Sequence, residues 1–425
     1  MNSINVHVNF GDRDICVGEL YLSSDTGRHV FSYDPRFISS GLEISPLRLP
    51  LGGQPFHAPQ DANIYGLHGV FADSLPDNWG RMVQDAEFLK IGIDQPTALE
   101  RLAFIGQNGI GALNYRPAKK FPKGIDITEL AALRKAAQNI IEGSADEISH
   151  ELLKSGGSAG GARPKFLVDI HEKNYGQIRY THKSYSGGYI PVVLKVPTFR
   201  HDHYQKIEYA YSQIAQKAGL NIPDTYLIKG EKSGLAFFAV KRFDILPDGS
   251  KLHVHSLAGL HNINFNDVNT DATAFLNTVG NVTRNHRQVV EAYKIIAFNH
   301  IGFNNDDHSK NFSFTMDKKG EWSLAPAYDI SYSKGQNGLH YMKLNGKTRN
   351  AETKDFKSAA KTFNIENWEN ILENIIAQFL KWPQTAKECE IPRKYISIID
   401  DRLKENIKRV EKGLKAKNYS RSTLK

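Results

Sequence analysis

The hydrophobic pattern changes period near residue 250, and this restricts the chain to a strand-rich part followed by a helical one. Before that point apolar residues come in short runs broken by Gly, Pro and Asp. VGELYL, HVFSYDP, LEISPLRLPL, GIGALNYRP, FLVDI, QIRYTH, YIPVVLKV, TYLI and LAFFAVKRFD read as strands, rich in β-branched and aromatic residues between turn formers. Helical spacing interrupts them in DNWGRMVQDAEFLKIG, in ALERLAFIG and over 126–143. In YQKIEYAYSQIAQKAG, Ile207, Tyr211, Ile214 and Ala218 share a face and Gly219 ends the run. Beyond 250, HRQVVEAYKIIAFNHIGF and WENILENIIAQFLKW read as helices. In the last one Ile396, Ile399, Leu403, Ile407, Val410 and Leu414 recur at steps of three and four, as a core-packing stripe does. A chain of 425 residues is long for one core and suits two or three lobes.

Several classes fall away. No stretch reaches the roughly 18 consecutive apolar residues of a membrane span. The start, MNSINVHVNFGDRDIC, reads as a strand and lacks the basic and apolar regions of a secretory signal. Cys16 and Cys389 lie far apart without metal-ligand spacing, as in a cytoplasmic protein with neither a disulfide framework nor a zinc site. The net charge of +8 allows an anionic partner. Part of it is local: after Glu411, KGLKAKNYSRSTLK holds five Lys or Arg and no acid, which reads as a solvated, frayed end or a weak nucleic-acid contact.

Three motifs carry chemistry. Ser155-Gly156-Gly157-Ser158-Ala159-Gly160-Gly161-Ala162-Arg163-Pro164-Lys165 precedes the strand FLVDI. Its glycines let backbone N–H groups approach an anion, although a flexible linker has the same composition. No Lys-Ser/Thr helix follows, so it is not a Walker A loop. Lys195 ends the apolar strand VVLK, where it serves either as a phosphate-holding lysine paired with Glu208 of the next helix or as a surface residue. Third, Asn304-Asn305-Asp306-Asp307-His308-Ser309-Lys310-Asn311 places Asp306 five positions before Asn311, the Asp-to-Asn spacing of a kinase catalytic loop. Eighteen residues on, LAPAYDIS supplies Asp329. Asp, Asn and phosphate oxygens suit a hard cation such as magnesium. An Asx-rich turn is the plain alternative, and neither an EF-hand pattern nor a second His at ligand spacing is present.

At these residues the sequence closely resembles the HipA family of bacterial serine/threonine kinases, the toxins of toxin–antitoxin pairs, over nearly its whole length. GSAGGARPK resembles the family's Gly-rich loop, NNDDHSKN its catalytic loop and LAPAYDIS its metal-binding segment. FSYDP, SPLRLPL, FADSLPDNWGR and GIGAL resemble its N-terminal subdomain. The resemblance implies an α+β, protein-kinase-like two-lobed fold. It has an extra β-rich N-terminal subdomain (1–122), an N-lobe (123–247) and a helical C-terminal lobe (248–425).

The resemblance also implies Mg-ATP as cofactor, with Asp306 as catalytic base, Asn311 and Asp329 as magnesium ligands, and His308 and Lys310 supporting the catalytic loop. ATP contacts would come from Ser158, Ala159, Gly160, Gly161, Lys195, Glu208 and Tyr328, and from the hinge residues Lys241, Arg242 and Phe243. Autophosphorylation would fall on Ser158, with Ser155 as the outsider. Implied partners are a HipB-like helix-turn-helix antitoxin, DNA through that antitoxin, and a protein substrate of the aminoacyl-tRNA synthetase kind, whose modification halts translation. No membrane is involved, and the protein would be cytoplasmic, nucleoid-associated in an antitoxin–operator complex. Neither the HRD nor the DFG triplet of other protein kinases occurs, in keeping with the family. The rival readings are a small-molecule kinase and an inactive scaffold of a repressor complex.

Overall fold

The computed structural model describes residues 1–61, 64–118, 129–143, 163–180, 187–198, 203–230, 235–266 and 270–422, with 415–422 as backbone alone. The chain forms two compact units, each drawn from separate stretches. The first takes Met1–Gln205, Asp224–Asn264 and Phe314–Trp322, and the second Lys206–Pro223, Phe265–Ser313 and Ser323–Lys425.

The first unit contains two five-stranded antiparallel sheets. Strands β1 (Ser3–Asn9), β2 (Asp14–Leu22), β3 (His29–Tyr33), β4 (Phe56–His57) and β5 (Leu113–Arg116) are ordered β4-β3-β2-β1-β5. Alternate residues of β1, Ile4, Val6 and Val8, enter a core with Phe31, Phe71 and Leu102, as period-2 patterning requires. The second sheet orders β6 (Lys165–His171), β7 (Asn174–Arg179), β8 (Tyr189–Lys195), β9 (Thr225–Lys229) and β10 (Ala236–Lys241) as β7-β6-β8-β10-β9. Its Phe166, Val168, Val192, Leu194 and Phe237 pack with Leu133 and Ile140 of the Leu130–Ile141 helix. Short strands β11 (His253–Ser256), β12 (Ser313–Met316) and β13 (Trp322–Leu324) form a third sheet.

The sequence pattern fails at LEISPLRLPL, which is not a strand. Pro46 and Pro50 have no N–H for a ladder, and the chain turns instead, with Leu49 N donating to Ser45 O at 3.0 Å. Leu42, Ile44 and Leu49 are buried all the same. Ser45 reaches a polar cluster: its Oγ lies 3.0 Å from His255 Nε2, and His255 Nδ1 lies 2.6 Å from Asp73 Oδ2. The order Ser-His-Asp is that of a hydrolase, yet Ser45 is 1% exposed and Asp73 also accepts from Ser256 N and Oγ. Here it ties the 253–264 stretch to the N-terminal region.

The second unit is built on helices Tyr204–Lys217, Ala272–Thr283, His286–Ile301, Thr353–Thr362, Trp368–Phe379, Trp382–Glu388 and Arg393–Ser422. The last continues through the basic stretch expected to fray. Tyr211 is central. Its ring lies 5.4–6.4 Å from those of Phe298, Phe379 and Trp382, and its hydroxyl donates to Gly302 O at 2.7 Å. Gly302 ends the 286–301 helix, and any Cβ there would collide with the Phe379 ring. The chain therefore leaves the helix at a fixed point and enters the segment that carries the acids. Among the described residues no helix is long and apolar enough to cross a membrane.

Candidate active site

Residues 304–311 follow the helix end at once and are held on several sides, all within the second unit. Phe303 adopts a left-handed φ of 58° and turns the chain. Asn305 N donates to Ser333 O and Ser333 N to Phe303 O, both at 3.1 Å. Asn304 Nδ2 reaches Asn299 Oδ1 at 3.0 Å and Asn305 Nδ2 reaches Lys334 O at 3.1 Å. Burial then alternates as along a strand: Asn305, Asp307 and Ser309 are buried, Asp306 is exposed, and His308 and Lys310 are half-buried. Asp306, His308 and Lys310 thus avoid the interior that takes their neighbours. Tyr341 lies close by, its hydroxyl pKa pushed up by burial and then by the charge of Asp306.

Asn311 closes the segment in a short 3-10 turn, Ser309–Asn311. Its Nδ2 donates to Asp306 O at 2.8 Å, which fixes the amide and assigns its other atom as the oxygen. Tyr328 joins the next segment: its hydroxyl donates to Lys310 O and meets Ser313 Oγ, each at 2.6 Å. Ala325 N donates to Ser313 O at 2.9 Å. The Asp306–Asn311 segment and the segment carrying Asp329 therefore lie side by side. Asp329 itself has a φ of 52°, uncommon for a residue with a side chain and a conformation that recurs at functional sites. An amide oxygen and a carboxylate, as Asn311 and Asp329 offer, are the oxygen donors that a magnesium ion takes. His308 sits between Phe265 and Tyr341, 5.2 and 5.9 Å between ring centres, and Lys310 Nζ lies 4.6 Å from the Phe265 ring centre.

Asp307, which the kinase spacing does not single out, is the most tightly held acid of the segment. Its Oδ1 accepts from Tyr341 N at 2.8 Å and Met342 N at 3.1 Å, and its Oδ2 from His340 Nδ1 at 2.8 Å. Burial would raise its pKa, but His340, by charge and hydrogen bond, and then His300 and the Met342 amide bring it below the ordinary value.

In the first unit, β6 and β8 pair Lys165 directly opposite Lys195, and β10 places Phe238 opposite Lys195. Residues paired in this way share a face, here the one turned away from Phe166 and Leu194. Both lysines are buried, at 7% and 9% exposure, and Lys195 Nζ lies 5.8 Å from the Phe238 ring centre.

The remaining expected residues divide. Arg242 is 3% exposed and its guanidinium binds Asp244 at 2.6 and 2.9 Å and Gly109 O at 3.1 Å, so this side chain serves the fold. Lys241 N donates to Asp224 O at 2.9 Å and its Nζ pairs with Asp224 Oδ2 at 2.9 Å. Phe243 lies between Arg242 and Asp244, both of which are buried. Glu208, in the Tyr204–Lys217 helix of the second unit, is 6% exposed. Ser155, Ser158, Ala159, Gly160 and Gly161 lie outside the described residues.

Comparison with known proteins places this geometry. The HipA N-terminal domain family matches residues 7–116 and the HipA-like C-terminal domain family matches 157–393. Curated relatives, each named "Putative kinase", occur in Sinorhizobium fredii (26% identical over 41% of this chain and 44% of its own length) and Haemophilus influenzae (26% over 42% and 53%). The match thus spans about half the length of each relative. Among solved structures, HipA of Shewanella oneidensis, determined with HipB and operator DNA, superposes with a TM-score of 0.65. The two are 16% identical, and the match covers 96% of this chain and 97% of that one. This likeness carries the fold, a mixture of sheet and helix that is kinase-like as the family resemblance implies. With the C-terminal family alone matching more than half of its length, this chain belongs to the HipA family.

Proposed function

We propose that the chain is a serine/threonine-protein kinase that moves the γ-phosphate of ATP to a protein hydroxyl. The observation that carries this reading is the alternation along 305–309, which leaves Asp306 exposed beside an amide-anchored Asn311 while the neighbouring residues are packed away. In this reading Asp306 accepts the proton of the attacking hydroxyl, and Asn311 and Asp329 hold magnesium on the phosphates. Lys195 neutralises phosphate charge, and Glu208 is the helix glutamate of the kinase pattern. His308 and Lys310 support the loop, Tyr328 couples it to Asp329, and the backbone of Lys241 and Phe243 receives adenine. Residues 1–122 are the family's N-terminal subdomain, 123–247 the nucleotide-holding lobe and 248–425 the lobe of the acids.

The wider role follows from the family. The chain acts in the cytoplasm as a toxin that phosphorylates a protein such as an aminoacyl-tRNA synthetase and stops translation. A HipB-like antitoxin restrains it and brings it to operator DNA at the nucleoid. The Shewanella relative supports this, since its structure was solved with HipB and operator DNA. Phosphorylation of Ser158 would end activity, because a group of about −1.5 to −2 charge would then stand where ATP phosphates bind.

Incubation of the full chain with Mg-ATP, followed by intact mass measurement and peptide mapping, tests the reading. The wild type should gain phosphate on Ser158, and Asp306→Asn should bind Mg-ATP yet transfer phosphate about 10²–10⁴-fold more slowly. Transfer at the wild-type rate by Asp306→Asn would remove Asp306 from the reaction.

A further inference from the structure

The most concentrated group of buried titratable side chains in the described part of the second unit is His300, Asp307 and His340, whose nitrogen and oxygen atoms lie within 4.8 Å of one another. Such a set can be read as a metal site, and the ring geometry argues otherwise. The two imidazoles stack with centres 3.9 Å apart and planes 22° apart. Their in-plane lone pairs therefore lie in two nearly parallel planes, whereas two ligands of one ion must converge on it.

The hydrogen bonds give a different account. His340 Nδ1 donates to Asp307 Oδ2, and His300 Nε2 donates to Met342 O at 3.1 Å. A carbonyl and a carboxylate only accept, so each bond fixes its imidazole as the donor. His300 O in turn accepts from Asn406 Nδ2 at 3.1 Å, which ties the group to the last helix. Asp307 gathers Tyr341 N, Met342 N and His340 onto one carboxylate.

We infer that Asp307 is a positioning residue: held inward by His340 and the 341–342 amides, it forces the adjacent Asp306 outward in a fixed direction. The argument is steric. Successive side chains of an extended segment point to opposite sides, and burial alternates here in that way from Asn305 to Ser309. Pulling Asp307 inward therefore sets where Asp306 points, with the His300–His340 stack as backing that keeps His340 in place. What Asp306 does once aimed rests on the kinase reading; that Asp307 aims it does not.

The test uses the full chain and three measurements on wild type, Asp306→Asn, Asp307→Ala and Asp307→Asn. These are Mg-ATP affinity by calorimetry, single-turnover phosphate incorporation, and hydrogen exchange at the amides of Tyr341 and Met342. Asp307→Ala should slow phosphate transfer about 100-fold, the effect of an ångström-scale misplacement, with Mg-ATP affinity held within about threefold. Asp307→Asn keeps an acceptor for both amides and should restore at least about a tenth of the wild-type rate. A merely structural loss would instead lower binding and transfer together, in both variants alike. The Tyr341 and Met342 amides should exchange at least about tenfold faster in Asp307→Ala. If Asp307→Ala does not fold, His340→Ala, which removes one donor of three, should give a smaller loss in the same pattern. Transfer by Asp307→Ala within about threefold of wild type, while Asp306→Asn is inactive, would overturn the inference and spare the kinase reading. If the wild type transfers no phosphate, the kinase reading falls, and unchanged amide exchange in Asp307→Ala would then overturn the positioning role on its own.

Discussion

Replacing Asp244 by Ala should open the first unit locally. Asp244 and Arg242 are each 2% exposed at the side chain, and the carboxylate accepts from Arg242 Nε at 2.9 Å, Arg242 Nη2 at 2.6 Å and Gly111 N at 2.7 Å. Asp244→Ala removes all three hydrogen bonds and leaves a buried guanidinium without its counter-charge. Breaking a buried pair in this way costs about 3–5 kcal/mol. The Gly111 N–H adds a smaller penalty of about 1 kcal/mol. The double change Arg242→Met with Asp244→Leu removes both charges and should recover most of the loss, to within about 2 kcal/mol of wild type.

Acid should act like the Ala substitution. Burial raises the Asp244 pKa, but Arg242, by charge and hydrogen bond, and the Gly111 amide bring it below the ordinary carboxylate value. A carboxylate depressed on folding contributes its stability above the unfolded pKa of about 3.9, and that contribution disappears as pH falls through the lower folded value. A chain with two compact units need not unfold in one step, so a global midpoint is the wrong measure. Hydrogen exchange of peptides spanning 109–116 and 236–244, across a urea series, reads the affected region directly. If Asp244→Ala changes the local opening free energy by less than about 1 kcal/mol, the pair is not the buried lock described here. If Arg242→Met instead weakens Mg-ATP binding with exchange unchanged, Arg242 is a nucleotide ligand after all.

Tyr328→Phe deletes the hydroxyl that bridges Lys310 O and Ser313 Oγ, two bonds worth about 0.5–1.5 kcal/mol each. It should slow phosphate transfer more than it weakens Mg-ATP binding, and equal losses in both would place Tyr328 on the nucleotide instead. Lys195→Met keeps the stem and removes the ammonium, so Mg-ATP affinity measured by calorimetry should fall at least tenfold, about 1.4 kcal/mol. Affinity unchanged by that substitution would remove Lys195 from the nucleotide site.

Much of the molecule was legible in the residues. Strong local patterns place the Tyr204–Lys217, His286–Ile301 and Trp368–Phe379 helices, since 3.6-residue periodicity needs nothing beyond its own segment. The same holds for β1, β6 and β8, and the Asp306–Asn311 spacing is written in the chain itself. LEISPLRLPL misled because its apolar residues are buried in a turn rather than a ladder, and two prolines were the warning. Which carboxylate turns outward, Asp306 or Asp307, was not legible in local pattern, for both stand in one turn-forming run. Burial shows Asp306 exposed and Asp307 held inward by donors at 340–342, more than thirty positions away. The Lys165–Lys195 pair depends on strand register, and the partner of Arg242 and Asp244 at Gly109–Gly111 depends on how distant stretches of the chain pack. Sequence fixes what each residue can donate, accept or bury. Only folding brings distant groups within the three ångströms over which a hydrogen bond acts, and so decides which of them meet.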